Sequence, residues 1–274
     1  MPERPWADEY TLLCERCGYV VEGLDPAGAC PECGKPIAES LPERRVGTAW
    51  QREPGWKAWA RTLATTGLSP RKTLDMMCVQ ESRGLRKWHI RFSAWLIAYA
   101  AILFTSSLEW PSTYGGTEQA WSPIAPLVAA VIAVVVMWVF VPSLHVLTSI
   151  EHRGLSFFGA RRRVRLGREW THAICSHGSA GWVFGAGATA IVVSTGYFLL
   201  PTTSGSRRYE DEVRLQLVIA TGGIVCLMTG FLFFETFAWL GLRRCRFANR
   251  VRPGADASGS FQRVSKAQGK EPGA

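Results

Sequence analysis

Val131-Ile132-Ala133-Val134-Val135-Val136-Met137-Trp138-Val139-Phe140-Val141 carries no charged side chain and lies within a charge-free stretch, residues 122–141, that is 20 residues long. A helix rises 1.5 Å per residue, so this length covers the roughly 30 Å hydrocarbon core of a bilayer. Three more stretches are comparable: residues 92–108 (17 residues), 180–200 (21) and 215–234 (20). The first is the shortest, but it can begin near Ile90 because Arg91 can reach back to the headgroups. Pro123 and Pro126 fall in the opening turns of the second stretch, where proline is tolerated. These four segments predict an all-α polytopic membrane bundle of four transmembrane helices. The composition agrees, with 47% hydrophobic residues, only 19% charged and 12 tryptophans in 274 residues.

The loops between the segments set an orientation. Arg71, Lys72, Arg83, Arg86, Lys87 and Arg91 precede the first span, whereas residues 109–121 contain no Lys or Arg. Arg153, Arg161, Arg162, Arg163, Arg165 and Arg168 follow the second span. After the third, Arg207, Arg208 and Arg214 are offset by Glu210, Asp211 and Glu212. A run of Arg and Lys from Arg243 onward closes the chain. Basic residues stay on the cytoplasmic side, so this alternation predicts an inner-membrane, multi-pass protein with both termini cytoplasmic. Trp110 and Trp121 then mark the outer interface, and Trp182 and Trp239 the inner one. The N-terminal residues show no apolar leader.

The N-terminal segment is organised by cysteine. Cys14-x2-Cys17 and Cys30-x2-Cys33 each present two thiolates to one side, and two such turns facing each other form a tetrahedral four-sulfur site. Gly18 and Gly34 follow the second cysteine of each turn, where a left-handed backbone is wanted. Tyr19-Val20-Val21 reads as a short strand, so residues 1–45 are expected to be a small β zinc ribbon holding one structural Zn2+. Two disulfides, or iron in a rubredoxin-like site, are the alternatives. A reducing cytoplasm favours metal over disulfide. Four thiolates leave no open position for catalysis. Residues 1–45 carry five Lys/Arg and nine Asp/Glu, a net of −4 that leaves +13 on the remainder. An acidic ribbon argues against nucleic acid, which is bound through its phosphates.

Residues 46–89 are expected to be a linker with amphipathic interfacial helices, around Trp56, Trp59, Leu63 and Gly67 and then beyond a Ser69-Pro70 start. Packing of this segment on the ribbon is the alternative. Residues 90–242 form the four-helix transmembrane domain, and residues 243–274 a basic, disordered tail. Gly181-x3-Gly185 and Ala186-x3-Ala190 allow close helix approach in lipid. Arg161, Arg162, Arg163 and Arg165, beside Phe157 and Phe158, are expected to contact anionic lipid headgroups. Glu235 is an acid inside an apolar run, and with His145 and His177 it could form a polar cytoplasmic mouth. The other reading of Glu235 is a pairing that orders the bundle. No Gly-rich phosphate loop, nucleophile elbow or H-E-x-x-H occurs, so no catalytic residue is assigned.

The segments C-E-R-C-G-Y from Cys14, C-P-E-C-G-K-P-I from Cys30, Leu147-Thr148-Ser149-Ile150-Glu151-His152-Arg153-Gly154 and Cys175-Ser176-His177-Gly178 resemble a group of bacterial, planctomycete-type zinc-ribbon multi-span membrane proteins. The membrane half is distantly similar to Yip-family domains, with four spans here against the five typical there. The resemblance implies an architecture and no established activity. The reading is thus a non-enzymatic integral membrane protein whose ribbon serves as a cytoplasmic structural or protein-interaction module. An unknown protein partner would dock through the ribbon, and a homo-oligomer is left open. A small-solute or ion transporter or channel is the alternative.

Overall fold

The computed structural model describes residue 8 and residues 10–79, 83–107, 125–161, 164–199 and 209–250. Among them lie the α-helices α1 (Ala49–Arg52), α2 (Trp56–Leu68), α3 (Pro70–Met76), α4 (Arg83–Ser107), α5 (Ala125–Arg161), α6 (Arg168–Gly178), α7 (Ala180–Leu199) and α8 (Tyr209–Arg244). β-pairing among the described residues is confined to two isolated antiparallel bridges, Leu13 with Val20 and Ala29 with Pro36. The strand expected at Tyr19-Val20-Val21 therefore shrinks to one bridged residue. Each cysteine turn closes so soon after it opens that no register remains to extend.

Among the described residues, four helices are long and apolar enough to cross a membrane: Gly84–Ser106, Leu127–Gly159, Arg168–Phe198 and Val213–Arg244. They follow the order of the four apolar segments in the sequence. The third reaches back through α6, because only Ser179 separates α6 from α7, and its N–H still donates to the Cys175 carbonyl at 3.0 Å. The apolar window of the second has a mean hydropathy of 2.7, and only 6% of it is buried. Val131, Val134, Val135, Trp138 and Val139 are all exposed along it. An apolar face of that extent is untenable in water and is what a spanning helix presents to lipid. α5 and α8 have 37 and 36 residues, so each is about 55 Å long and overshoots a bilayer core by several turns.

The chain divides into two compact units, one of Met1–Ser82, His152–Ile174 and Ala238–Ala274, the other of Arg83–Glu151 and Cys175–Phe237. This differs from the contiguous 1–45, 46–89, 90–242 and 243–274 division. The far ends of α5 and α8, beyond the length that lipid can cover, belong with the N-terminal segment. A cysteine segment of this size cannot bury a sufficient core by itself, and these ends enlarge it.

In the unit of residues 83–151 and 175–237, α4 packs along α7. Ala100, Ala190, Val193 and Ile219 form a buried cluster, with Leu96, Leu103 and Phe104 against it. α7 and α8 meet backbone to backbone, as the Gly181-x3-Gly185 spacing predicts. A Cβ on Gly185 would lie 3.1 Å from the Gly230 Cα, and one on Gly230 would lie 2.7 Å from the Gly185 Cα and against the Gly181 carbonyl. Gly230→Leu is expected to cost about 3 kcal/mol by overpacking, seen as a lower Tm in detergent. Gly187→Leu is the control, since a Cβ there meets only the Leu96 side chain, at 4.0 Å. Trp182, expected at the inner interface, is buried instead. Its ring stacks on Phe234 with centroids 5.3 Å apart, and its Nε1 donates to Thr148 Oγ1 at 3.3 Å. The close approach at Gly181 brings α8 onto that face and covers the ring. Trp110 and Trp121 lie outside the described residues.

In the other unit, Ser69 and Pro70 occupy the N-cap and first turn of α3, as predicted. Leu74 and Met77 are fully buried, and the Gly47 N–H donates to the Met76 carbonyl at 2.8 Å. α3 is therefore packed within this unit through its Leu74 side. α2 leaves Trp56 and Leu68 exposed. Trp239 is exposed too, with the Arg243 guanidinium 4.1 Å over its ring. Order continues past Arg243: Cys245, Ala248 and Asn249 are buried, so residues 243–250 are not the disordered tail expected there, and residues 251–274 lie outside the described residues.

Candidate metal centre

Two nearly identical turns build the centre. In the first, the Cys14 N–H donates to the Tyr19 carbonyl at 2.8 Å and the Gly18 N–H to the Cys14 carbonyl at 2.8 Å. In the second, the Cys30 N–H donates to the Lys35 carbonyl at 2.8 Å and the Gly34 N–H to the Cys30 carbonyl at 2.9 Å. Gly18 and Gly34 have φ of 82° and 70°, so glycine fits both for the reason given above. Each turn aims its pair of sulfurs at the other pair.

The sulfurs interleave, with Cys14 Sγ 3.5 Å from Cys33 Sγ and Cys17 Sγ 3.6 Å from Cys30 Sγ. All four lie within 4.8 Å of one another. A disulfide requires roughly 2.05 Å, and all four cysteines are free thiols. Four thiolates at about 2.3 Å from a central ion would stand roughly 3.8 Å apart. The observed spacing therefore fits a four-sulfur metal site and not a pair of disulfides. Val21 and Ile37 pack against Cys14 and Cys30, with Leu12 and Leu24 beside them, so one side of the site is dry.

The thiols are electrostatically unequal. Burial raises the Cys14 thiol, but N–H groups of Cys17 and Arg16 and the neighbouring sulfurs outweigh it and bring it down to about 7. Cys17 is pushed up to about 12 by burial, with Cys30 and Cys33 adding to the rise. Four thiolates this close require a cation to offset their mutual repulsion.

The surroundings fix the centre in its unit. Arg45 donates from Nε and Nη2 to the two carboxylate oxygens of Glu15 at 2.9 and 3.1 Å, and from Nη1 to the Leu74 and Met77 carbonyls at 2.8 and 3.1 Å. Its guanidinium lies 5.0 Å over the Trp170 ring. Burial opposes the charge on Arg45, but Cys245 and Glu15 outweigh that and hold it above its ordinary value. Asn249 acts as a surrogate strand for Leu13. Its Nδ2 donates to the Leu13 and Ser40 carbonyls at 2.7 and 2.6 Å, and its Oδ1 accepts from the Leu13 N–H at 3.0 Å. Nothing in the sequence around Asn249 signalled this.

Among the described residues, the four cysteines form the one group of three or more side chains suited to a metal. His177 is fully buried and lies within electrostatic reach of His89, a residue the sequence did not single out. His89 Nδ1 is 2.9 Å from Ser179 Oγ. Glu235 is half-buried and near Glu151, whereas His145 feels Arg86, Lys87 and Arg91. Arg165, expected at lipid headgroups, is buried. Its Nη1 donates to the Thr11 carbonyl and, at 3.4 Å, to Asn249 Oδ1, so the residue serves folding. Arg162, Arg163 and the side chain of Arg161 lie outside what the structure describes. No family model, curated protein or solved structure matches the chain.

Proposed function

We propose that this is a non-enzymatic, multi-pass protein of the bacterial inner membrane whose cysteine centre holds one structural Zn2+ in a cytoplasmic ribbon-like module that engages a protein partner. The observation that carries this reading is the engagement of the centre by its own chain. Arg45 and Asn249 use their hydrogen-bonding capacity on Glu15, Leu13 and Ser40, which fits a site built for rigidity. The sidedness of arginine along the sequence supports cytoplasmic termini. The likeness to planctomycete-type zinc-ribbon membrane proteins and to Yip-family domains belongs to the same proposal, as do a homo-oligomer and headgroup contact by Arg161, Arg162 and Arg163.

Ala27 is exposed in the connection between the two cysteine turns, so a cysteine placed there reports its compartment. In Ala27→Cys, a membrane-impermeant maleimide is expected to label position 27 only after the cells are permeabilised. Labelling in intact cells would invert the topology. The transporter reading rests on Glu235, half-buried beside Glu151. Solute flux in proteoliposomes that disappears in Glu235→Gln would replace the adaptor by a carrier.

A further inference from the structure

A cleft of about 560 Å³ opens between the second cysteine turn and the residues around the end of α8. Seven of its lining side chains are cationic and three are carboxylates. The carboxylates are already engaged. Glu15 is held by Arg45 and approached by Lys35 at 3.9 Å, Glu39 by Arg44 at 3.3 Å, and Asp75 by Arg244 at 2.6 Å. Arg16, Arg243 and Arg246 line the same cleft with no carboxylate partner among the described residues, and all three are exposed. An excess of four positive charges around one concavity raises the local concentration of anions. Guanidinium groups match phosphate oxygens in planar pairs.

We propose that this cleft binds a phosphate-bearing dianion, either the phosphorylated headgroup of a lipid or a free phosphate compound. Arg243 and Arg244 close the last candidate span, and basic side chains that follow a span attract anionic headgroups. The lipid source therefore rests on the membrane reading above, whereas the free-phosphate source does not. The volume suits one headgroup or a pyrophosphate-sized ion. The cleft's cations surround a cavity instead of following one another along the chain.

The test uses the full-length, zinc-loaded protein. Calorimetry with inorganic pyrophosphate in detergent measures the free source. Retention of phosphatidylinositol 4-phosphate, against phosphatidylcholine, in nanodiscs containing both measures the lipid source. Binding in either arm is expected to weaken at least about tenfold in Arg44→Gln/Arg243→Gln, with zinc content unchanged. Arg246→Gln should act in the same direction. Arg71→Gln removes an exposed charge from α3 that does not line the cleft and should leave binding as it was. Pyrophosphate binding identifies a soluble ligand, and selective lipid retention alone identifies a headgroup. Absence of binding in both arms, or equal weakening by Arg71→Gln, overturns the proposal. Because the pyrophosphate arm needs no bilayer, its success alongside extracellular labelling of position 27 would separate this site from the topology.

Discussion

Cys14→Ser/Cys33→Ser is expected to bind no zinc and to lose the folded state of the unit that holds the cysteines, whereas the unaltered protein carries one zinc per chain. The effect is large because the two turns supply little else. The buried core around them consists of Val21 and Ile37 with the cysteines themselves. Closing a four-thiolate zinc site contributes on the order of 10 kcal/mol in small domains. That is comparable to the whole stability of an ordinary domain. The substitution removes the partners in the 3.5 Å sulfur pair and leaves Cys17 and Cys30 as a two-ligand remnant. Metal analysis of the purified protein checks the stoichiometry, and limited proteolysis between residues 10 and 79 checks the fold. Iron in place of zinc would colour the protein and give the same loss on mutation. A metal-free double variant with unchanged proteolytic resistance would show that the turns stand without an ion. Protons compete for the same thiolates. Metal binding holds the folded-state thiols ionised below their unfolded pKa, so this stability is present at neutral pH and fades as pH falls.

How far the sequence reached can be followed residue by residue. The spans were legible because a bilayer imposes a length and a composition on any one helix, independent of its neighbours. The 131–141 run needed no tertiary context. The cysteine turns were legible for the same reason, since spacing and a following glycine are local. Trp182 was misplaced because an indole suits an interface and a packed core equally well. The choice was made by Gly230, 48 residues further on, which lets α8 close over it. Arg165 and Asn249 were illegible for a related reason. An arginine in a basic run and an asparagine in a polar tail look solvated, and only the chain reversals that bring Thr11 and Leu13 to them make them internal. The extent of α5 and α8 past the lipid was half visible. The helical register past His145 was there to read, but nothing local said that the ends of α5 and α8 fold with the N-terminal residues.

Asn249→Ala carries the second large effect, and it tests whether the segment after α8 belongs to the metal unit. Asn249 is 3% exposed, and its carboxamide serves the N–H and carbonyl of Leu13 together with the Ser40 carbonyl. Alanine leaves those three backbone groups buried without that partner, and no water need reach them. Each such orphan costs about 1–3 kcal/mol, so three of them cost roughly 3–9 kcal/mol. Arg165 also loses its contact with Asn249 Oδ1, while its bond to the Thr11 carbonyl remains, which keeps the estimate below a full network collapse. Asn249→Asp separates the causes. A carboxylate can still accept from the Leu13 N–H and draws closer to Arg165, but it cannot donate to the Leu13 and Ser40 carbonyls. It should therefore fall between the parent and Asn249→Ala in thermal stability. A structural tether predicts that zinc is released at lower temperature in both variants, in that order, with the four cysteines intact. Equal zinc-release temperatures in all three proteins would mean that the cysteine turns hold their ion without the segment after α8, and that the buried carboxamide is incidental to the site.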